Sequence, residues 1–160
     1  MQLAEKRPET ASIDAIKALA ADDMKRVDAL IRASLATDVA LVSQVAEYIV
    51  TSGGKRLRPL IVLLTARALG YEGDQHVRAA AIIEFIHTAT LLHDDVVDGS
   101  ERRRGRDTAN SVFGNQASVL VGDFLYSRSF QMMVEIGAMP VMDILADATN
   151  TIAAGEVMQL

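Results

Sequence analysis

Apolar residues recur at helical spacing along nearly the whole chain, and no segment sustains the alternation of a strand. Residues 1–12 read as a polar tail. Over residues 13–36, Ile16, Leu19, Ala20, Met24, Val27, Leu30 and Ile31 fall on one side of a helix. A second helix is predicted for residues 39–51, stopped by Gly53-Gly54. A third spans 60–69, with Pro59 suited to its first turn and Gly70 to its end. The fourth, 75–98, is apolar nearly all round (Ala79-Ala80-Ala81-Ile82-Ile83, then Leu91-Leu92), which suits a buried position. Two more follow, over 116–136 and from Pro140 onwards. The predicted class is all-α. The last helix stays apolar and periodic through Gln159-Leu160 without a cap, so residues 13–160 read as part of a helical domain cut in mid-helix.

Composition changes this picture little. At 160 residues the chain is one domain's worth of sequence, and its 50% hydrophobic content, with three prolines and no tryptophan, is a helical vocabulary. A net charge of −5 argues against a general nucleic-acid binder, so any arginine run is local. Without cysteine there is neither disulfide nor thiolate metal site. The start, Met1 to Pro8, has no apolar signal core, and no stretch is long and apolar enough to span a bilayer. A cytoplasmic protein is expected.

Candidate chemistry gathers where the long apolar helix ends. Asp94-Asp95-Val96-Val97-Asp98 precedes Arg102-Arg103-Arg104-Gly105-Arg106. On a helix Asp94 and Asp98 lie one turn apart on one face, with Asp95 alongside. Two carboxylates so placed can share Mg²⁺, which fills its other positions with water and phosphate oxygens. The arginines offer planar forks to further phosphate oxygens. Acidic runs before basic runs are also common on solvated helix ends. Here the carboxylates sit at a C-terminus, where the helix dipole disfavours them, on an apolar helix where uncompensated charge is costly. The cluster therefore reads as a site for a diphosphate bound through metal.

A second basic element is Gly53-Gly54-Lys55-Arg56-Leu57-Arg58-Pro59. In a tight turn Lys55 and Arg58 point the same way, as two donors to one phosphate. The loop lacks the Gly-x-x-x-x-Gly-Lys-Ser/Thr pattern of a nucleotide-binding loop, and alone it could equally be a solvated turn. His87 precedes Asp94 by two turns on the same face, suggesting a phosphate contact over a buried structural role. His93-Asp94 raises a metal phosphohydrolase of the His-Asp type, but His76 is remote and the arginines and Gly-Gly-Lys loop would then have no use.

Gly53-Gly54-Lys55-Arg56-x-Arg58-Pro59, Glu84-x-x-His87, Leu91-Leu92-His93-Asp94-Asp95-x-x-Asp98 and Arg103-Arg104-Gly105 together closely resemble the trans-isoprenyl diphosphate synthases, above all the bacterial octaprenyl-type branch. The resemblance runs from about residue 13 to the end. It implies the N-terminal half of an isoprenoid-synthase-type helical bundle and a homodimer. Asp94 and Asp98 would hold Mg²⁺ on an allylic diphosphate such as farnesyl diphosphate, with Asp95 supporting, and Arg103 would touch that diphosphate. Lys55, Arg58, His87 and Arg104 would hold isopentenyl diphosphate. The implied activity is trans chain elongation to a long-chain polyprenyl diphosphate, a quinone side-chain precursor.

That chemistry suits the residue types. Cations stabilise a departing diphosphate, and apolar walls keep water from the allylic cation. Ala89 and Thr90, one turn below Asp94, are small, whereas in the family aromatic residues here stop growth early, so a longer product is expected. The family's second aspartate-rich motif is absent. The 160 residues alone are therefore not expected to be fully active, and half a bundle should leave the 75–98 helix exposed on one side. The competing account is a binding or regulatory subunit that completes its bundle with a partner chain.

Overall fold

The computed structural model describes residues 12–51 and 53–159. In order they form α1 (Ile13–Leu19), α2 (Ala21–Ser34), α3 (Ala40–Thr51), α4 (Leu57–Ala68), α5 (Gln75–Val97), β1 (Arg102–Arg103), β2 (Arg106–Asp107), α6 (Ala109–Phe113), α7 (Asn115–Ile136) and α8 (Met139–Val157). The fold is all-α, as the periodicity requires. Of the polar tail, only Ser12 lies within the described residues; its side chain accepts a hydrogen bond from the Ala15 amide and caps α1.

α5 is the central element. Consecutive residues Ala80, Ala81 and Ile82 are all buried, so the helix is covered on more than one side. It packs chiefly against α7, and also against α4 and α2. Leu63 of α4, Val27 of α2 and Val121, Leu125 and Met132 of α7 complete the core around it. Burying each such side chain contributes about 1.5–3 kcal/mol. α5 is thus not the exposed helix anticipated for half a bundle. Uncovered apolar surface lies on α8, where Ile144 and Val157 are 67% and 68% exposed and Thr149 is the buried residue, and also on α7, at Leu120 and Val134.

Three local departures from the expected elements have identifiable causes. The helix expected over 13–36 breaks at Ala20 (φ −110°, ψ 10°): α2 follows the core through Val27 and Ile31, whereas α1 buries nothing. A buried cluster holds α2 in place. Burial pushes the Asp23 carboxyl up, but hydrogen bonds from His76, Arg67 and Arg26 outweigh it and hold the group below the usual carboxylate range. The expected arginine loop is a small antiparallel hairpin, with Arg102 opposite Asp107 and Arg103 opposite Arg106. Its two turn residues, Arg104 (φ 53°) and Gly105 (φ 82°), are both left-handed, which matches the twist of a two-residue hairpin. Finally, the short helix α6 lies between Thr108 and Gly114, and its five residues are too few to show a period.

Candidate active site

Gly53 (φ 69°) turns the chain out of α3, and the loop enters α4 at Arg56. Lys55, Arg56 and Arg58 then line one pocket together with His87 of α5 and Arg104 of the hairpin. The loop, the middle of α5 and the hairpin, remote in sequence, thus meet in one cationic pocket, and the expected phosphate contacts Lys55, Arg58, His87 and Arg104 are brought together. Arg58 Nη1 lies 3.1 Å from His87 Nε2. Arginine has only donors, so Nε2 accepts and the ring is neutral, its proton on Nδ1. Burial, and then the Arg58 charge, push the His87 pKa down, in keeping with that state.

The acidic motif divides into two roles. Asp95 is buried, and its Oδ1 accepts two hydrogen bonds from Arg103, at 3.0 Å from Nε and 2.8 Å from Nη2. The Asn110 amide also donates to the Asp95 carbonyl, at 3.2 Å. Oδ1 of the Asp95 carboxylate thus holds the hairpin in place. Arg103, expected on the diphosphate, is here the partner of Asp95. Asp94 and Asp98, on the last turn of α5, keep the one-turn spacing. Burial, and then the charges of Glu156 and Asp98, push the Asp94 carboxyl up, with Arg103 and His93 opposing. Among the described residues no group of three or more acidic or histidine side chains converges as a ready-made metal cage.

Below Asp94 a groove runs between α5 and α8, lined by Ile86, Thr90, Leu145, Thr149 and Ile152. Ala89 and Thr90 line its continuation towards α7. Arg58 and His87 line both this groove and the cationic pocket. The two charged sites therefore share a wall, and an apolar groove leads away from it.

The His-Asp phosphohydrolase alternative, disfavoured on the sequence, gains no support from the geometry. His93 Nε2 lies 3.3 Å from Asp123 Oδ1 and 3.2 Å from the Val119 carbonyl, so its ring is engaged with α7. Gly122 makes room for it: a Cβ there would lie 2.3 Å from Nε2. His76 pairs with Asp23 at the other end of α5. Among the described residues no His-Asp metal centre forms.

The polyprenyl synthetase family model matches residues 39–160. The chain belongs to the polyprenyl synthetase family. It is 58% identical over 149 residues to octaprenyl diphosphate synthase of Escherichia coli (strain K12), covering 93% of this chain and 46% of that protein. A decaprenyl diphosphate synthase from Rhodobacter capsulatus superposes with a TM-score of 0.88 at 53% identity, over 91% of this chain and 45% of the other. A polyprenyl synthase from Caulobacter crescentus CB15, complexed with calcium and isoprenyl diphosphate, gives a TM-score of 0.90 at 49% identity, over 95% and 47%. The chain spans about half the length of the curated relatives it matches. Membership agrees with the resemblance carried by the motifs. No described helix is long and apolar enough to cross a membrane.

Sequence reasoning missed four contacts of this family site. Arg56 donates to Glu84 Oε1 at 2.6 Å, and Arg104 Nη1 donates to the Gly53 carbonyl at 3.3 Å. Tyr48 Oη donates to the Asp107 carbonyl at 2.7 Å, tying α3 to the hairpin. Arg103 holds Asp95. The only signal in the sequence was the arginine excess around two turns, which does not say which arginine binds protein and which faces a ligand.

Proposed function

We propose that this chain supplies the N-terminal half of the site of a trans-polyprenyl diphosphate synthase, a prenyltransferase that lengthens an allylic diphosphate with isopentenyl diphosphate. Residues 13–160 are then the N-terminal part of that enzyme's helical domain. The observation that carries the reading is the shared wall. Arg58 and His87 border both the pocket of Lys55 and Arg104 and the groove that begins at Asp94. Two diphosphates bound there would bring their hydrocarbon ends together.

In this reading Lys55, Arg58, His87 and Arg104 hold the diphosphate of isopentenyl diphosphate. A neutral His87 donates through Nδ1, or takes a proton when the diphosphate arrives. Asp94 and Asp98 fit Mg²⁺: they are two carboxylates one turn apart, at a helix end where their own charge is unfavourable. When bound, the cation neutralises the allylic diphosphate and assists its departure. Arg103, within reach of Asp94 and held by Asp95, adds a fixed positive charge on the same side. The allylic C–O bond breaks, and the double bond of isopentenyl diphosphate supplies the electron pair for the new C–C bond. A proton then leaves to the released diphosphate. The groove of Ile86, Ala89, Thr90 and Ile152 excludes water and accepts the growing chain. A cytoplasmic homodimer is part of this reading, supported by exposed apolar side chains on α7 such as Leu120 and Val134.

The test is a prenyl-transfer assay with isopentenyl diphosphate, farnesyl diphosphate and Mg²⁺, products identified by mass spectrometry. The chain is assayed beside a form extended through the length of the relatives. A long-chain product from the extended form, lost in Asp98→Ala, supports the reading. Product from neither form overturns it in favour of a regulatory subunit.

A further inference from the structure

Two described residues other than glycine adopt a left-handed backbone, Arg56 (φ 48°) and Arg104 (φ 53°), and both end on the Gly53–Lys55 loop. Backbone strain at non-glycine residues persists only where surrounding contacts over-determine it. For Arg104 the hairpin turn is the cause. At Arg56 the side chain is held from two directions. Nη1 donates to Glu84 Oε1 at 2.6 Å, and Nε lies 3.7 Å from Asp28 Oδ1. Both members of the short pair are largely shielded, with 23% and 13% of their side-chain surface exposed. The Arg56 carbonyl also accepts the first bond of α4, from the Leu60 amide at 3.1 Å. The Arg56 backbone thus fixes the direction of Lys55 before it and of Arg58 two residues after it.

We propose that Glu84 is a positioning residue for the diphosphate donors Lys55 and Arg58, acting through Arg56. The proposal rests on the reading of this pocket as a diphosphate site and goes beyond it, because Glu84 itself presents a negative charge to an anion pocket. That charge gives an unusual sign. Were Glu84 only a neighbouring charge, its removal would strengthen anion binding by relieving repulsion and releasing a cation. As a positioning residue, its removal lets Arg56 relax out of the left-handed conformation and spreads Lys55 and Arg58 apart, so binding weakens.

The experiment is calorimetric titration of isopentenyl diphosphate into the full chain in EDTA, with a thermal melt of every variant. Glu84→Gln is expected to weaken binding about tenfold, the equivalent of one charge-assisted contact. Arg56→Gly accepts the left-handed backbone without strain but loses the ion pair, and should weaken binding similarly while the fold is retained. Adding Glu84→Gln to Arg56→Gly should then change nothing further, whereas a purely structural Glu84 would lower the melting temperature and leave affinity unchanged. Unaltered or tighter binding in Glu84→Gln, with wild type binding normally, overturns the positioning role alone. Should Glu84→Gln fail to fold, wild-type affinity in Arg56→Gly overturns it instead. Absence of binding by wild type overturns the diphosphate reading and the proposal with it.

Discussion

Replacing Asp94 with asparagine should make the protein more stable while removing its response to Mg²⁺. Asp94 lies on the last turn of α5, where its carbonyl accepts from the Asp98 amide at 2.8 Å. A negative charge there opposes the helix dipole, at about 0.3–1 kcal/mol. Burial and the Glu156 charge add to that cost, and the like charge of Asp98, one turn on, contributes about 0.2–0.5 kcal/mol. Arg103 and His93 return part of this, leaving a net gain of about 0.5–1 kcal/mol for the neutral side chain. At about 2–4 °C per kcal/mol for a domain of this size, the melting temperature in EDTA should rise about 1–4 °C. The sign with pH follows from the raised pKa of Asp94. The cost of its charge is present above the folded-state pKa and disappears as pH falls through it, so the advantage of asparagine should vanish in acid. Thermal melts at neutral and acidic pH, with and without Mg²⁺ and farnesyl diphosphate, measure both effects. A neutral-pH melting temperature equal to or below wild type would refute the electrostatic account. An undiminished Mg²⁺ shift in the variant would refute Asp94 as a ligand.

Three further expectations follow from the core, the groove and the cationic pocket. Leu63→Ala removes a fully buried side chain between α4 and α5 and should cost about 2–5 kcal/mol in denaturant unfolding; a loss under about 1 kcal/mol would show that the site collapses freely. Ala89→Phe, in the form extended through the relatives' length, should shorten the prenyl product by mass spectrometry, because Ala89 is buried at the groove wall; an unchanged distribution sinks the groove as the product path. Because the His87 pKa is lowered from 6.5 in the fold, the unfolded chain takes up this proton first, and stability is lost as pH falls below that value. His87→Gln should flatten that fall in a pH series of melts; an identical slope would show that His87 is not its source.

Much of the fold was legible because its information is local. The run from Ala79 to Leu92 is apolar nearly all round, interrupted chiefly by Glu84 and His87, and that marks a helix buried on several sides, as α5 is. Gly53, Pro59 and Gly70 placed helix ends within a few residues. What was illegible depends on distant partners. The first helix breaks at Ala20, and α2 is then fastened through Asp23 to His76 and Arg67, residues on α5 and α4. The hairpin after α5 lacks the Asn-Gly or Asp-Gly that signals such a turn, and uses Arg104-Gly105 instead.

The candidate site shows the same division within one residue type. Arg56, Arg58, Arg103 and Arg104 look interchangeable in sequence, yet each has a different partner: Glu84, His87, Asp95 and the Gly53 carbonyl. Two of these partners are carboxylates, which take up their arginine's donors and offset part of its charge; the others leave the guanidinium charge uncompensated by that contact. Arg58 and Arg104 are therefore the better donors to an incoming anion, while Arg56 and Arg103 spend their forks on keeping loop and hairpin in place. A pocket for diphosphate needs both kinds. Unpaired cations alone would repel one another and spread, and paired cations alone would leave nothing for the ligand. The acidic motif obeys the same logic with the sign reversed: Asp95 is paired with Arg103 and shapes the site, whereas Asp94 carries its charge at a cost that a bound cation would relieve.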